Sequence, residues 1–362
     1  MTTIAPEIVP GQVQVAGGVD THSDTHTAAA VDGAGRLLGH RQFPATAAGY
    51  RQLLAWLRGF GVLLVVGVEG TGVYGAGLAR HLAVEGVAMV EVDRPDRKTR
   101  RFAGKSDPLD AEAAARTALA RTRTGTPKDR SGQVEALRNL RVARRSAIDQ
   151  RADCQRRIKS LIVTAPEPLR AQLRGLKGVT LIGTCAGLRP DLNRIGEPEQ
   201  AVKRALRSLA RRHQLLSEEI NELDDLIGPL VAQINPDLLD CTGVGADVAS
   251  QLLVTVGQNA DRLHSEPAFA MLCGVAPIPA SSGKTHRHRL NRGGDRQANA
   301  ALYRIVLCRM RWDPRTRAYV ERRTTEGLSK KDIIRCLKRM IARELYYVLR
   351  PAHPTNDLAP AA

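Results

Sequence analysis

The sequence is poor in aromatic residues, and its cysteines form no paired motif. Phe, Trp and Tyr make up 3% of the 362 residues, which argues against a module that binds single strands by stacking bases on aromatic rings. The six cysteines are scattered singly, without a Cys-x-x-Cys pair, so the spacing of a zinc site or a redox motif is missing. We expect reduced thiols that lie mostly in the core.

Long apolar runs are missing too. No run approaches the roughly 20 residues of a membrane-spanning helix, and the first residues lack the basic and apolar regions of a secretory signal. We therefore expect a soluble, cytoplasmic protein without a membrane partner.

What the chain has in excess is positive charge. Lys and Arg outnumber Asp and Glu by 54 to 37, the formal net charge is +17, and the pI is about 10.2, which favours nucleic acid as the partner.

The first third of the chain alternates strand and helix patterns. The predicted order is three strands that form a meander, then helix, strand, helix, strand and helix, which is the α/β order of ribonuclease-H-like folds. The first strand ends at Asp20, Thr46 is a candidate N-cap, and the run Val62–Val66 predicts a buried parallel strand. The remaining predicted elements are a strand over 28–31, a strand from Arg36, helices over 73–84 and 108–121, and a strand over 87–92.

The rest of the chain reads as helical. Apolar positions recur at steps of three and four over 131–160 and 199–227, which predicts an antiparallel coiled coil interrupted by the Pro- and Gly-rich stretch 166–196, with a plain helical bundle as the alternative. From Asn235 we expect short helices with glycine-rich junctions. The predicted boundaries are 1–127 for the α/β domain, 128–230 for the helical linker, 231–350 for a second, mostly helical domain and 351–362 for a disordered tail.

Four carboxylates stand where a sheet of this order would bring them together. Asp20 ends the first strand and Glu69 follows the fourth, while Asp107 and Asp110 are three residues apart on one face of the last helix of that domain. Oxygen ligands of this kind suit Mg²⁺. One or two ions could neutralise a scissile phosphate and stabilise the attacking and leaving oxygens. The quartet therefore predicts a catalytic metal centre.

Most of these residues also have an ordinary structural alternative. Asp107 could cap a helix, Asp110 could complement its dipole, and Asp20 could open a turn. Glu69 is the hardest to explain in this way, because the apolar run before it places it at a buried edge where an unpaired carboxylate is costly. His22 and His26 flank the first aspartate and could ligate a metal, but we interpret them as loop histidines.

A second candidate site is a glycine turn in LLDCTGVGADVA. Its apolar-Gly-x-Gly-apolar form is typical of a helix-hairpin-helix, in which Thr242, Gly243 and Gly245 would let backbone N–H groups approach a DNA phosphate. An ordinary corner between two packed helices is the alternative.

A serine-containing basic segment follows in CGVAPIPASSGKTHRHRLNRGG. A P-loop is excluded there, because Ile278 stands where the first glycine would have to be. A hydroxyl surrounded by cations can attack a phosphodiester if it is activated and the developing charge is neutralised. A flexible basic loop is the alternative on the residues alone. The surrounding basic residues are Lys284, His286, Arg287, His288, Arg289 and Arg292.

These blocks together resemble the DEDD transposases of insertion-sequence family 110, the bridge-RNA-guided recombinases. VAGGVDTHSDTH, VVGVEGTGVYG and GKSDPLDAEAAART resemble the three blocks that carry the family's quartet in its RuvC-like domain, on Asp20, Glu69, Asp107 and Asp110. LLDCTGVGADVASQLL and the serine segment resemble its C-terminal transposase domain. The family's catalytic serine precedes a glycine, so the resemblance points to Ser282, with Ser281 as the second choice.

The resemblance implies an enzyme that cuts and rejoins DNA in a bacterial cytoplasm, associated with the nucleoid when bound. It implies a phosphoserine intermediate assisted by Mg²⁺ on the quartet, an element-encoded guide RNA that selects donor and target DNA, and a dimer or tetramer in which the quartet of one protomer completes the serine site of another. The roles of His286 and His288 are left open.

Three rival hypotheses remain at this point. A RuvC-like metal-dependent nuclease or resolvase would activate water at the quartet and use the C-terminal domain only to bind DNA. A scaffold would bind nucleic acid without chemistry. A tyrosine nucleophile, Tyr303 or Tyr319, would replace the serine.

Overall fold

The computed structural model describes residues 12–92, 106–122, 124–284 and 287–350. Within them the chain forms two compact units, one made of residues up to 130 together with 256–264, and one made of 131–255 together with the residues from 265 onward. The predicted tail 351–362 and His286 lie outside the described residues. The division into three functional segments with boundaries at 127, 230 and 350 stays a prediction.

The first unit is built on a six-stranded mixed sheet with the order β3-β2-β1-β4-β5-β6. Strand β2 is antiparallel to both β1 and β3, β4 runs parallel to β1, β5 runs parallel to β4, and β6 is antiparallel to β5. The elements follow one another as predicted, and a sixth short strand is added. Their bounds are β1 Gln14–Thr21, β2 Thr25–Asp32, β3 Leu37–Pro44, α1 Ala47–Arg58, β4 Val62–Val68, α2 Ala76–Val84, β5 Met89–Val92, α3 Asp107–Ala120 and β6 Thr124–Gly125.

Helices cover both faces of this sheet, because strand residues alternate between the two faces. Val19 packs with leucines of α1 and α2, including Leu53 and Leu78, in one buried cluster. Ala16 packs with Ala115 and Ala118 of α3 in another. The result is a three-layer arrangement with β1 near the centre of the sheet.

The ends of the helices follow local capping. Thr46 caps α1 as predicted, since its Oγ1 accepts a hydrogen bond from the Gly49 amide at 3.2 Å. The next helix begins at Ala76 and not at the predicted Val73. The carbonyl of Gly70, a residue with φ of +72°, accepts from the Val73 and Gly75 amides at 3.0 and 3.3 Å. Residues 70–75 therefore form a turn ahead of the helix.

The second unit contains two long antiparallel helices, α4 (Gly132–Val163) and α7 (Pro198–Ile234). Arg144 of α4 bonds both carboxylate oxygens of Asp224 at 2.6 and 3.1 Å, and Arg151, further along α4, reaches Ser217, further back on α7. The stretch predicted to interrupt them contains two helices, α5 (Glu167–Leu173) and α6 (Gly178–Gly187), whose leucines join the same buried cluster as the ends of the long helices.

The remainder of the second unit is helical, with one two-stranded hairpin. The expectation of short helices is wrong for two of them, because α11 spans 17 residues and α13 spans 20. Both keep an uninterrupted buried stripe, which includes Leu302 and Leu345. The elements are α8 Asp237–Asp240, α9 Ala246–Val256, α10 Glu266–Leu272, β7 Ile278–Pro279, β8 His288–Arg289, α11 Arg296–Trp312, α12 Pro314–Thr325 and α13 Lys330–Leu349.

Among the described residues, no helix combines the length and the apolar character needed to cross a membrane.

Candidate metal centre and serine hairpin

Asp20 and Glu69 lie at neighbouring strand ends of the first unit. Asp20 is the last residue but one of β1 and is only 9% exposed. Glu69 follows β4 directly. Its amide donates to the carbonyl of Val19 at 3.1 Å, and its carbonyl accepts from the Thr21 hydroxyl at 2.8 Å. The backbone therefore places these two acidic residues side by side, as the strand pattern predicts.

The first turn of α3 reaches the same sheet edge because the helix packs directly on the strand backbone. A Cβ atom added to Gly18 would lie 2.1 Å from the Ala111 carbonyl oxygen and 2.1 Å from the Ala115 amide nitrogen. Only glycine allows this approach. Asp107 and Asp110 begin α3, so the glycine in β1 is what allows their helix to lie close to Asp20.

His22 lies between two of the carboxylates. Its Nε2 atom is 3.3 Å from Asp20 Oδ2 and 3.3 Å from Asp107 Oδ1. One ligand atom from each of these three residues lies within 4.8 Å of the other two. His22 is in a loop, as expected, but reading it only as a loop histidine misses its place in the cluster.

The carboxylates at this edge of the sheet repel one another when they are ionised. Burial raises the pKa of Asp20 above its ordinary value, His22 lowers it, and the carboxylates of Asp107 and Asp110 raise it further. A divalent cation would remove this repulsion. Two carboxylates and an imidazole form a donor set that fits such an ion, and Asp110, 8% exposed, adds a third carboxylate nearby. Glu69 is half-buried, but its carboxylate is not part of the three-residue cluster.

His26 is not a loop histidine. It lies in β2, is fully buried, and stacks on Tyr50 with ring centroids 5.6 Å apart. Burial lowers the pKa of the imidazole, which leaves it neutral at physiological pH. The loop assignment failed because the short turn 22–24 returns the chain to the sheet before His26.

The serine segment in the second unit forms a hairpin. Strands β7 and β8 pair Ile278 with Arg289, and the Ala280 amide donates to the Arg287 carbonyl at 2.9 Å. The Ser281 hydroxyl lies against the same residue, 3.3 Å from its amide and 3.5 Å from its carbonyl oxygen. Ser282 is exposed and precedes Gly283, whose φ is +54°.

Cations surround this hairpin on the surface. A groove of about 680 Å³ is lined by Ile278, Arg289, Leu290, Asn291, Arg292 and Gly293. The side chains of Lys284, Arg287, His288, Arg289 and Arg292 are all exposed. The hairpin therefore presents hydroxyls and positive charge together at an open surface.

The base of the hairpin is held by residues that the sequence did not single out. Asn299 donates to the carbonyls of Cys273 and Gly274, each at 3.0 Å, and accepts from the Lys338 ammonium at 2.8 Å. Burial lowers the pKa of Lys338. An added Cβ at Gly294 would lie 2.6 Å from the Leu272 carbonyl oxygen. There is therefore no room for a side chain at Gly294, where the loop after β8 ends.

The glycine turn at 241–245 joins a four-residue helix, α8, to α9. Gly243 has φ of +83° and packs against Ile305 and Cys308 of α11, whereas Gly245 faces open space. The exposed Thr242 uses its carbonyl to accept from buried Arg309 at 2.7 Å. A helix-hairpin-helix with DNA contacts at this turn stays a prediction.

The first turn of α9 carries a cluster of charges. Asp247 accepts from Arg141 and Arg144 at 3.0 Å each and from Arg304. Although burial opposes ionisation, the three guanidiniums hold the pKa of Asp247 below its usual value. The network joins the long helix α4 to α9 and α11 within the second unit.

The cysteines are free thiols, and three of the six are buried. Burial raises the pKa of Cys185 to about 11 and of Cys273 to about 12. These two thiols are therefore poor nucleophiles.

Comparison with known proteins gives two family matches and two relatives. Residues 17–165 match the DEDD transposases of the IS110 type, and residues 236–321 match the transposase family IS116/IS110/IS902. An uncharacterised 43.6 kDa protein of the insertion element IS110 from Streptomyces coelicolor is 31% identical over 146 residues, which is 40% of this chain and 36% of that protein.

An uncharacterised 42 kDa protein of the insertion element IS900 from Mycobacterium paratuberculosis is 28% identical over 159 residues, 40% of each chain. The chain thus spans well under half the length of these relatives. The two family matches fall on the two segments that carry the acidic cluster and the serine hairpin, and the chain belongs to the IS110 family of insertion-element transposases.

Proposed function

We propose that the protein is the transposase of an insertion element and that it cuts and rejoins DNA. The observation that carries this proposal is the cluster at the sheet edge, where Asp20, His22 and Asp107 each contribute a ligand atom within 4.8 Å of the others. The order of the sheet, three antiparallel strands followed by strands parallel to the first, supports a RuvC-like assignment. Carboxylates that come from separate elements to one edge can hold the ion that metal-dependent phosphoryl chemistry uses.

The metal is best assigned as Mg²⁺ on the quartet. Asp20, Asp107 and Asp110 would hold it, and Glu69 would complete the set from the neighbouring strand end. When bound, the ion supplies charge neutralisation at a phosphate. The chain's own contribution is to bring the carboxylates together at one edge of the sheet and to hold α3 against β1 through Gly18.

Ser282 is the proposed nucleophile. Its hydroxyl oxygen would attack the phosphorus and lose its proton, a phosphoserine bond would form, and the bond to one DNA oxygen would break as that oxygen gains a proton. A hydroxyl of another strand then reverses the step and releases the serine. The hydroxyl of Ser281 is turned towards the backbone of Arg287, which supports Ser282 as the residue with a hydroxyl available to DNA.

The basic surface of the hairpin is assigned to phosphate binding. Lys284, Arg287, Arg289 and Arg292 are exposed around Ser282, and guanidinium groups can hold phosphate oxygens by paired hydrogen bonds. Thr242, Gly243 and Gly245 are proposed as a second contact to the DNA backbone. Ion pairing with phosphates makes such binding strongly dependent on salt.

A guide RNA and a homo-oligomer complete the proposal. The charge of +17 supports binding of more than one nucleic-acid strand, and the family resemblance supports an element-encoded RNA that selects donor and target DNA. In a dimer or tetramer, the quartet of one protomer would assist the serine of another.

The test is a search for a covalent protein–DNA adduct. Full-length protein is incubated with DNA that spans the element's ends, a transcript of the flanking non-coding segment and Mg²⁺, and the products are separated on a denaturing gel. We expect an adduct in the wild type and in Ser281→Ala, and none in Ser282→Ala. Ser281 is the matched control because it differs by one position in the same hairpin.

Three other outcomes identify the rivals. Cleavage without adduct that survives Ser282→Ala would establish the metal-dependent nuclease. An adduct that persists in Ser282→Ala and is lost in Tyr303→Phe or Tyr319→Phe would establish a tyrosine nucleophile. Binding without strand cleavage under any divalent metal would leave only the scaffold.

A further inference from the structure

The loop after β1 places an imidazole inside the acidic cluster. His22 Nε2 is 3.3 Å from a carboxylate oxygen of Asp20 and 3.3 Å from one of Asp107. The Asp20 side chain is 12% exposed, whereas those of His22 and Asp107 are 46% and 41% exposed. The histidine therefore closes the solvent side of a cluster whose other members come from β1 and α3.

A hydrogen bond alone accounts poorly for this arrangement. A single ring nitrogen has one proton or one lone pair in the ring plane and directs it towards one acceptor at a time, yet both oxygens are equally distant. Both distances also exceed the 2.7–2.9 Å of a charge-assisted hydrogen bond.

A shared cation explains the arrangement better. Ligand atoms on a common divalent ion lie about 2.0–2.4 Å from it, so any two of them are separated by no more than about twice that distance. Asp20 Oδ2 and Asp107 Oδ1 each lie 3.3 Å from His22 Nε2, well inside this limit.

We propose that His22 coordinates the divalent ion through Nε2 together with Asp20 and Asp107, so that the site has a mixed nitrogen and oxygen donor set. The proposal rests on the proposed function only in that the acidic cluster holds a metal. Such a donor set would make the site selective among divalent metals. Imidazole adds affinity for transition metals such as Mn²⁺ and little for Mg²⁺, which prefers oxygen. The chain should therefore bind Mn²⁺ more tightly than a site of carboxylates alone.

The experiment uses Mn²⁺ as the probe, because it is paramagnetic. Full-length wild type is titrated with Mn²⁺ and followed by electron paramagnetic resonance, and electron spin echo modulation then tests for a ¹⁴N nucleus directly bonded to the ion. Two variants are compared, His22→Gln and His40→Gln. His40 is an exposed histidine on β3 and is the matched control. Mg²⁺ affinity is measured by its competition with Mn²⁺.

We expect ¹⁴N modulation in the wild type and in His40→Gln, and its loss in His22→Gln. Mn²⁺ binding by His22→Gln should weaken by at least tenfold, since even groups that only support a metal ligand cost about 10–100-fold in affinity. Mg²⁺ binding should change by no more than about threefold, which narrows the preference for Mn²⁺.

The contrary results are separate for the two proposals. Mn²⁺ that binds without ¹⁴N modulation, or with modulation that persists in His22→Gln, overturns the role of His22 and leaves the metal centre intact. Asp20→Asn tests whether any bound Mn²⁺ lies at this site. If this variant binds as much Mn²⁺ as the wild type, both the ligand assignment and the proposed metal centre are wrong.

Discussion

Gly18 gives the sharpest prediction, because a single methyl group added there would obstruct the packing of α3 on β1. In Gly18→Ala the new Cβ would lie 2.1 Å from two backbone atoms of α3, those of Ala111 and Ala115. Neither belongs to a flexible side chain that could turn away. Ordinary contact requires about 3.4 Å or more between such atoms, so the helix must retreat from β1 by roughly 1 Å.

The expected effect is large for so small a change. Overpacking of a buried site costs about 1–3 kcal/mol, and a backbone obstruction belongs at the upper end of that range. For a unit of this size, about 3 kcal/mol lowers the unfolding midpoint by roughly 6–12 °C. The retreat also moves Asp107 at the start of α3 away from Asp20, so affinity for a divalent ion should fall together with stability.

Calorimetry with and without Mn²⁺ measures both effects. Gly125→Ala is the matched control, because Gly125 lies in β6 of the same unit and a Cβ there meets no atom within 4 Å. Its midpoint should change by no more than the effect of about 0.5 kcal/mol that is usual for surface positions. A Gly18→Ala protein with wild-type stability and wild-type Mn²⁺ affinity would refute the close approach of helix and strand.

Three further predictions concern charge. In wild type, divalent metal at 100 times its dissociation constant should stabilise the first unit by about 2.7 kcal/mol, and Asp20→Asn should abolish this rise in calorimetry. Because burial depresses the pKa of His26, the unfolded chain binds more protons, so stability should fall as the pH drops below about 6.5; His26→Gln should flatten that dependence in melts at pH 7.5 and 5.5. Arg309→Met removes a guanidinium that is 10% exposed and paired with Glu344, so it should lower the free energy of unfolding by about 1–3 kcal/mol in denaturant titrations. The exposed control Arg322→Met should lower it by about 0–1 kcal/mol. Equal losses in the two variants would contradict the role of burial.

The order of elements in the first unit could be predicted because it depends on local signals. The apolar run of β4 and the Thr46 cap each act within a few residues, and both are found as expected. The start of α2 could not be placed correctly, because it depends on the positive φ of Gly70 and on the two amides that its carbonyl receives. A glycine permits such a turn but does not require it.

The end of the long helix α7 shows packing that overrides a local rule. Proline inside a helix removes a hydrogen bond and costs about 3 kcal/mol, and the range predicted from the apolar pattern, 199–227, ends before Pro229. The helix continues through Pro229 to Ile234. Ile227 and Val231 on either side of the proline are almost fully buried, and burying two such side chains contributes about 3–6 kcal/mol, enough to offset the break.

The candidate metal site could be predicted from the sequence only in part. The carboxylates follow from strand ends and helix spacing, but the part of His22 depends on how the loop 22–24 folds back. Gly17-Gly18 just before Asp20 was an available signal. Two glycines inside a buried strand have low β propensity and indicate a close approach by another backbone, which here is that of α3.

The serine hairpin was the least predictable part, because two adjacent serines have the same local sequence signals. The resemblance favours Ser282 for its following glycine. A separate physical reason comes from the hairpin of β7 and β8, in which the Ser281 hydroxyl contacts the backbone of Arg287. A hydroxyl that both accepts from an amide and donates to a carbonyl must give up one of these contacts before it attacks phosphorus, at a cost of about 0.5–1.5 kcal/mol. That cost slows Ser281 by about twofold to thirteenfold, so the hairpin biases the choice and leaves access to DNA as the deciding factor. Complete loss of adduct in Ser282→Ala, with Ser281 still present, would show that access to DNA decides between the two serines.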